Sequence, residues 1–214
     1  MTSQPPRRRA HARAVPVATA PAEAPSDAAI SEALGQRIKA LRARNGLTLE
    51  QLSQRSGVSR AMLSTIERGE KSPTLPILVR IAAGFGLTLS HLLGAEPDPS
   101  HVTIIRAAQR LSFRDPETGF ERWVLSPAHV DDGLEFVLHR LPPGRSTGAL
   151  PAYPGATQKY IAVSTGTLTV LLDDQPHVLA AGDAMYFDVK APYHFVNEDP
   201  AVECLYYMVI ARKR

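Results

Sequence analysis

Cysteine is almost absent from this chain, with one thiol, Cys204, in 214 residues. No intramolecular disulfide can form, which excludes the small disulfide-stapled folds and fits a reducing compartment. Long apolar runs are missing as well. No stretch reaches the roughly 18 apolar residues of a membrane-spanning helix, so no membrane partner is expected. The basic start (Arg7, Arg8, Arg9, Arg13) lacks the continuous apolar segment of a secretory signal, and a cytoplasmic location is expected. Tryptophan occurs once and aromatics make up only 6%. What remains suffices for packed cores: 44% of residues are hydrophobic, on a chain long enough for one large or two small domains.

The net charge of +3 is unevenly spread. Residues 31–94 hold nine Lys and Arg against four Asp and Glu, whereas residues 95–214 hold eleven against fifteen. A phosphate backbone would be met by the first of these regions and repelled by the second. Residues 1–30 are rich in Ala, Pro and Arg with almost no large apolar residues, and read as a disordered basic tail. From Ser31 the apolar period becomes helical through Leu34, Ile38 and Leu41, ending near Asn45–Gly46. Thr74 is the expected cap of a fourth helix that tolerates Pro76 in its first turn and is broken by Gly84 and Gly86. Thr88 is expected to cap a short fifth helix ending at Leu93.

Between these lies LTLEQLSQRSGVSRAMLSTIERG, Leu47–Gly69, which reads as two short helices joined by a tight turn. Thr48 and Gln51 form a capping box for the first helix. Gly57 supplies the turn, Val58 plugs inward and Ser59 caps the second helix. Leu63 and Ile66 share one face of that helix, with Arg60, Ala61, Ser64, Thr65 and Arg68 on the other. Gly69 ends it. The pattern resembles the Cro/cI-type helix-turn-helix of the XRE regulator family over about residues 34–93. The resemblance implies a lambda-repressor-like five-helix DNA-binding domain, 31–94, whose partner is a near-palindromic double-stranded operator. Thr48, Gln51 and Ser59 frame the reading face. Arg60 is the best base reader, able to fork onto a guanine. Thr65 and Ala61 reach base edges, and Ser64, Arg68, Lys71 and Ser72 suit phosphates.

Residues 95–101 read as a stiff polar linker around Pro97 and Pro99. Beyond it, strands are expected at Val102–Arg106, Phe120–Leu125, Leu134–Leu141, Lys159–Val163, Thr167–Leu172, His177–Leu179, Ala184–Phe187, His194–Asn197 and Val202–Ile210, with turn residues between them. Regularly spaced short strands argue a sandwich or barrel. The phrases PPGRSTG, STGTLTVLLDD and LAAGDAMYFDVKAPYHFVNEDPA resemble the cupin, an all-β double-stranded β-helix or jelly-roll barrel, here 102–214. A DNA-binding head with a cupin tail implies a homodimeric regulator that senses a small-molecule effector.

Metal-binding cupins carry two His and a Glu in the first motif and a third His in the second. Here the second-motif His is His194, but the first motif, PAYPGATQKY, holds no His. Against the family pattern Tyr153 falls near a ligand His and Lys159 near the ligand Glu. An ammonium has donors and no lone pair, so neither metal nor other cofactor is expected. Lys159, His194 and Tyr153, with His139 from a neighbouring strand and Trp123 and Tyr186 as walls, would instead suit a small anion, a carboxylate. Lys159 as a solvent-facing strand residue or a partner to a local acid, and Trp123 and Tyr186 as plain core, are the competing readings. Two other functions stay open: a cupin metalloenzyme with an accessory DNA-binding domain, and a regulator whose cupin only dimerises.

Overall fold

The computed structural model describes residues 27–94, 102–127, 133–152 and 156–212. The expected tail and linker, and Tyr153, lie outside the described residues. Helices come first: α1 (Asp27–Arg44), α2 (Leu49–Ser56), α3 (Arg60–Glu67), α4 (Leu75–Phe85) and α5 (Leu89–Leu93). Ile38, Leu52, Leu63, Leu78, Ile81 and Leu92 meet in their centre, each fully buried. Summed over such residues, burial at about 1.5–3 kcal/mol per large aliphatic side chain is what holds helices too short to stand alone. Gly84 does not break α4 but lies inside it. A Cβ there would sit 2.9 Å from the Ser56 Cβ, so the glycine lets α4 cross α2 closely. The helix ends at Gly86, in the left-handed conformation at φ 70°.

The strands form two antiparallel sheets. One has the order β1 (Ser112–Arg114), β2 (Glu121–Val124), β3 (Leu134–Leu141), β10 (Cys204–Arg212), β5 (Thr157–Thr165), β8 (Ala184–Asp188). The other runs β4 (Arg145–Ser146), β9 (Tyr193–Asn197), β6 (Thr167–Leu172), β7 (Gln175–Ala180). Alternate residues of both face inward, among them Ile161, Phe195, Tyr206 and Met208. The β6–β7 hairpin turns on Asp173 and Asp174, both with positive φ (50° and 61°), the conformation a two-residue turn requires. This jelly-roll is the cupin architecture.

Val102–Arg106 is not a strand. Val102 and Ile104 are exposed, so their apolar alternation has no face to bury. Strands β1 and β4 were not foreseen, because two or three residues carry no period. Strand β7 is longer than its apolar part because Pro176 sits on a sheet edge, where its missing N–H costs no ladder bond.

Helices and strands are packed against each other, and one buried apolar cluster spans both. Side chains from the barrel also finish the helix ends. Thr74 stands at the N-cap of α4 but makes no side-chain cap bond; the Leu75 N–H donates instead to Oδ2 of the buried Asp115, at 2.6 Å. In α5, Thr88 Oγ1 accepts from the His91 N–H at 3.1 Å, while the Ser90 N–H donates to Glu135 Oε1 on β3 at 2.9 Å. Arg212 Nη1, at the end of β10, donates to the Leu87 carbonyl at 3.2 Å.

Candidate functional site

The first candidate surface is the outer face of α2 and α3. The Gln51 N–H donates to Thr48 Oγ1 (3.1 Å) and the Thr48 N–H to Gln51 Oε1 (2.8 Å), closing the capping box. Ser59 Oγ accepts from the Met62 N–H at 3.3 Å and starts α3. Gly57 turns the chain at φ 66° and Val58 is buried. Arg60 and Ala61 are exposed on the first turn of α3 and, with Ser64, line a shallow groove against Thr48, Leu49 and Glu50. A clamp that sequence reasoning missed fixes α3 from behind. Arg42 Nε and Nη2 donate to the two oxygens of buried Glu67 at 2.7 and 2.8 Å, and Nη1 to the Leu47 carbonyl at 2.9 Å.

Three expected contacts are otherwise engaged. The Thr65 hydroxyl donates to the Met62 carbonyl at 2.9 Å, so its polar end serves its own helix. Arg68 forks onto Glu70 (2.6 and 2.7 Å) and also donates to Ser64. Ser72 pairs its hydroxyl with that of Ser31. Lys71 is exposed.

The second candidate is a cavity of about 20 Å³ at the junction of helices and barrel. Leu75, Val79 and Leu89 wall it from the helical side; Phe120, Arg122, His139, Lys159, Tyr193 and Met208 are among its barrel-side lining. Lys159 is buried, with its Nζ 4.7 Å from the Tyr193 ring centroid and 3.6 Å from the Met208 sulfur. The solvent-facing reading of Lys159 therefore does not hold. Burial, with repulsion from Arg122, brings its ammonium down to about 7 despite the opposing pull of Glu135.

Arg122 and Glu135 are the buried charges that sequence reasoning missed. Their signal was parity: Glu135 shares the inward register of Val137, His139 and Leu141 along β3. Arg122 Nη2 donates to Glu135 Oε2 at 3.3 Å and to Ser90 Oγ at 3.1 Å. Burial alone would raise the Glu135 carboxyl, but Arg122, the Ser90 N–H and Arg212 hold it down to about 2. Arg122 Nη1 lies 3.2 Å from His139 Nε2. A guanidinium only donates, so Nε2 accepts and the ring proton sits on Nδ1. Burial first, then Arg122 and Lys159, depress His139 well below the usual imidazole range, so it is neutral at pH 7. Both His139 Nδ1 and Arg122 Nε are buried with no hydrogen-bond partner, as is the nearby Tyr206 hydroxyl. The site is short of acceptors.

The structure takes three expected residues out of this cavity. On β9 the inward positions are Tyr193 and Phe195, so His194 points away between them. Arg122 faces in on β2, so Trp123 faces out. Tyr186 is exposed on β8, its ring centroid 4.9 Å from that of Tyr160 at a tilt of 41° and its hydroxyl 3.2 Å from Asp188 Oδ1. In each case period-two alternation assigns the face, and register decides the parity. A guanidinium, a lysine and one imidazole whose Nε2 is already engaged by Arg122 do not fit a divalent transition metal, and among the described residues no cluster of three His, Cys, Asp or Glu side chains is assembled.

Comparison with known proteins agrees with both regions. The Helix-turn-helix family matches residues 38–92 and the Cupin domain family residues 137–210. The HTH-type transcriptional regulator SutR of Escherichia coli (strain K12) is 27% identical over 171 residues, covering 77% of this chain and 86% of that protein. PuuR of the same organism, also an HTH-type transcriptional regulator, is 22% identical over 168 residues, covering 78% and 89%. The crystal structure of an HTH_3 family transcriptional regulator from Vibrio cholerae superposes with a TM-score of 0.71 at 26% identity, over 88% of this chain and all (100%) of that one. Among the described residues no helix is long and apolar enough to cross a membrane. The two family matches, on a helical domain joined to a jelly-roll, and the regulators similar to it along most of its length place the chain in the XRE-type helix-turn-helix regulators with a C-terminal cupin domain, as a DNA-binding transcriptional regulator.

Proposed function

We propose that the protein is a dimeric, non-enzymatic cytoplasmic regulator: residues 31–94 bind a near-palindromic operator, and residues 102–214 dimerise and sense a small organic carboxylate. The observation that carries the sensing role is the cavity chemistry. Arg122, Lys159 and neutral His139 converge on it, Arg122 Nε and His139 Nδ1 have no hydrogen-bond partner, and no carboxylate is in its described lining, Glu135 lying behind Arg122. Desolvated donors of this kind favour an anionic acceptor. An enzyme of the metal-dependent cupin type would need lone pairs where this site has N–H groups.

The dimer surface in this reading is the outer face of the six-stranded sheet. Trp123, Leu138 and Tyr207 stand side by side across β2, β3 and β10, and Tyr160 and Tyr186 continue the face onto β5 and β8. Tyr160, Tyr186 and Tyr207 are 46%, 49% and 40% exposed, an apolar patch of the kind that marks an interface. The operator contacts are Arg60 and Ala61 to bases and Lys71 to phosphate, with Ser64 and Thr65 secondary. Calorimetric titration with small carboxylates tests the sensor. Binding that Lys159→Met abolishes is the expected result; absence of binding by any of them would leave the cupin a dimerisation block.

A further inference from the structure

We propose that the DNA-binding domain is itself the lid of the anion site: α4 and α5 close the cupin cavity, Glu135 occupies the effector's place on Arg122, and an incoming carboxylate takes that place by releasing the helices. This rests on the carboxylate reading of the cavity given above.

The first argument is space. A cavity of about 20 Å³ has room for roughly one water and none for an organic acid. Something in its wall must move before an effector enters. Apart from Phe120 and Leu150, the barrel-side walls are strands held by ladders to their neighbours: β5 pairs with both β10 and β8, and β3 with both β2 and β10. The helical wall, Leu75, Val79 and Leu89, is held across the junction by a handful of polar contacts. Asp115 takes the Leu75 N–H, Glu135 takes the Ser90 N–H, Arg122 donates to Ser90 Oγ and Arg212 to the Leu87 carbonyl. Moving the helices breaks these few bonds and separates one apolar face; moving a strand breaks a ladder.

The second argument is chemical identity. Glu135 is an internal carboxylate that bridges Arg122 to the amide of α5. A free carboxylate presents the same two oxygens, and it would also find the unpartnered N–H groups of Arg122 and His139 and the ammonium of Lys159. Competition for Arg122 therefore removes its bond to the Ser90 hydroxyl on α5 and the ion pair that positions Glu135 against the Ser90 N–H. Effector and helices bind the barrel exclusively, and exclusive binding is a coupling between two sites.

The consequence for DNA follows from geometry. Recognition helices fixed to a two-fold dimer present one spacing and one orientation, matched to two half-sites about one helical turn apart. Released domains must be ordered again on the operator, and that entropy is lost affinity. The effector lowers operator affinity by at least about fivefold, the lower end of typical allosteric couplings.

The test uses the full-length dimer and three probes, sodium acetate, benzoate and succinate, against sodium chloride at equal ionic strength. Hydrogen exchange of residues 75–93 and operator affinity are measured together. The expected result is faster exchange at the starts of α4 and α5 with carboxylate and a matching drop in affinity. Glu135→Gln is expected to reproduce both changes with no probe added. Carboxylate binding, seen by calorimetry, with unchanged exchange over 75–93 overturns the lid and leaves the anion site standing. Accelerated exchange in Glu135→Gln with no carboxylate bound by the unsubstituted protein overturns the anion site, and this proposal with it. Since the unsubstituted chain supplies the decisive readout, a variant that folds poorly does not rescue the idea.

Discussion

The two domains treat polar side chains in opposite ways. On the outer face of α2 and α3 they lie at the surface and are satisfied within a few residues of themselves, in contrast to the buried Glu67 behind that face: Thr48 with Gln51, Ser59 with the Met62 N–H, Arg68 with Glu70. In the cupin they lie in the core and are satisfied, where they are, by residues far away in the chain: Arg122 with Ser90 and Glu135, Asp115 with the Leu75 N–H. Water screens the first set and makes each pair cheap to lose. The second set is desolvated, so removing one partner strands the other. A DNA reader needs side chains that can exchange water for phosphate and bases; the proposed sensing role would instead draw on a few buried charges whose neutralisation is worth a conformational change.

Substitutions that break this contrast rank by depth. The largest effect is expected at the buried pair. Glu135→Ala leaves Arg122 uncompensated and should cost about 3–5 kcal/mol in chemical denaturation. Removing both, as Arg122→Met with Glu135→Leu, should recover most of that loss; a double-variant loss equal to the sum of the two single losses would show that the two charges are not coupled.

The next effect is a slope against pH. Lys159 titrates near 7 in the folded protein and near 10.4 when unfolded, so between these values the unfolded chain binds the extra proton. Stability should therefore rise by about 1.4 kcal/mol per pH unit from this one group between pH 7 and 10, less whatever other groups contribute. Lys159→Met should flatten that rise. Glu135 has the opposite window: its carboxyl is held at about 2, so its contribution is lost as pH falls below about 4 toward 2. A parallel pH profile in the Lys159→Met variant would place the lysine in water.

On the reading face the effects are smaller and specific. Arg60→Ala should cost roughly 1–3 kcal/mol on the operator and relax preference at one base pair per half-site. An equal loss on operator and random duplex would make Arg60 a phosphate contact. The smallest effects belong to the charges at the end of α3. Lys71→Ala should lower the slope of log affinity against log salt by about one per contact. Arg68→Ala should change it less, because Arg68 is already paired with Glu70. A larger change for Arg68 than for Lys71 would mean that DNA breaks the Arg68–Glu70 fork.

The helical half was legible because its signals are local. A capping box spans three residues, a helix face repeats every three or four, and Gly57 carries its turn by itself. Even there Gly84 was misleading, since its role is the close crossing of α2 and α4. In the barrel the strands were legible but their faces were not. His194 and Tyr193 are one residue apart, and only the pairing of β9 with β6 decides which of them faces the core.

Residue order by itself determined the helix-turn-helix, its caps and most of the strand succession, because each depends on neighbours along the chain. The tertiary structure decided the rest. The β2–β3 register sets Arg122 opposite His139. Packing of the helices on the barrel brings Glu135 to Ser90 and Asp115 to Leu75. Buried charges find partners through strand register and domain docking, and neither leaves a period in the sequence.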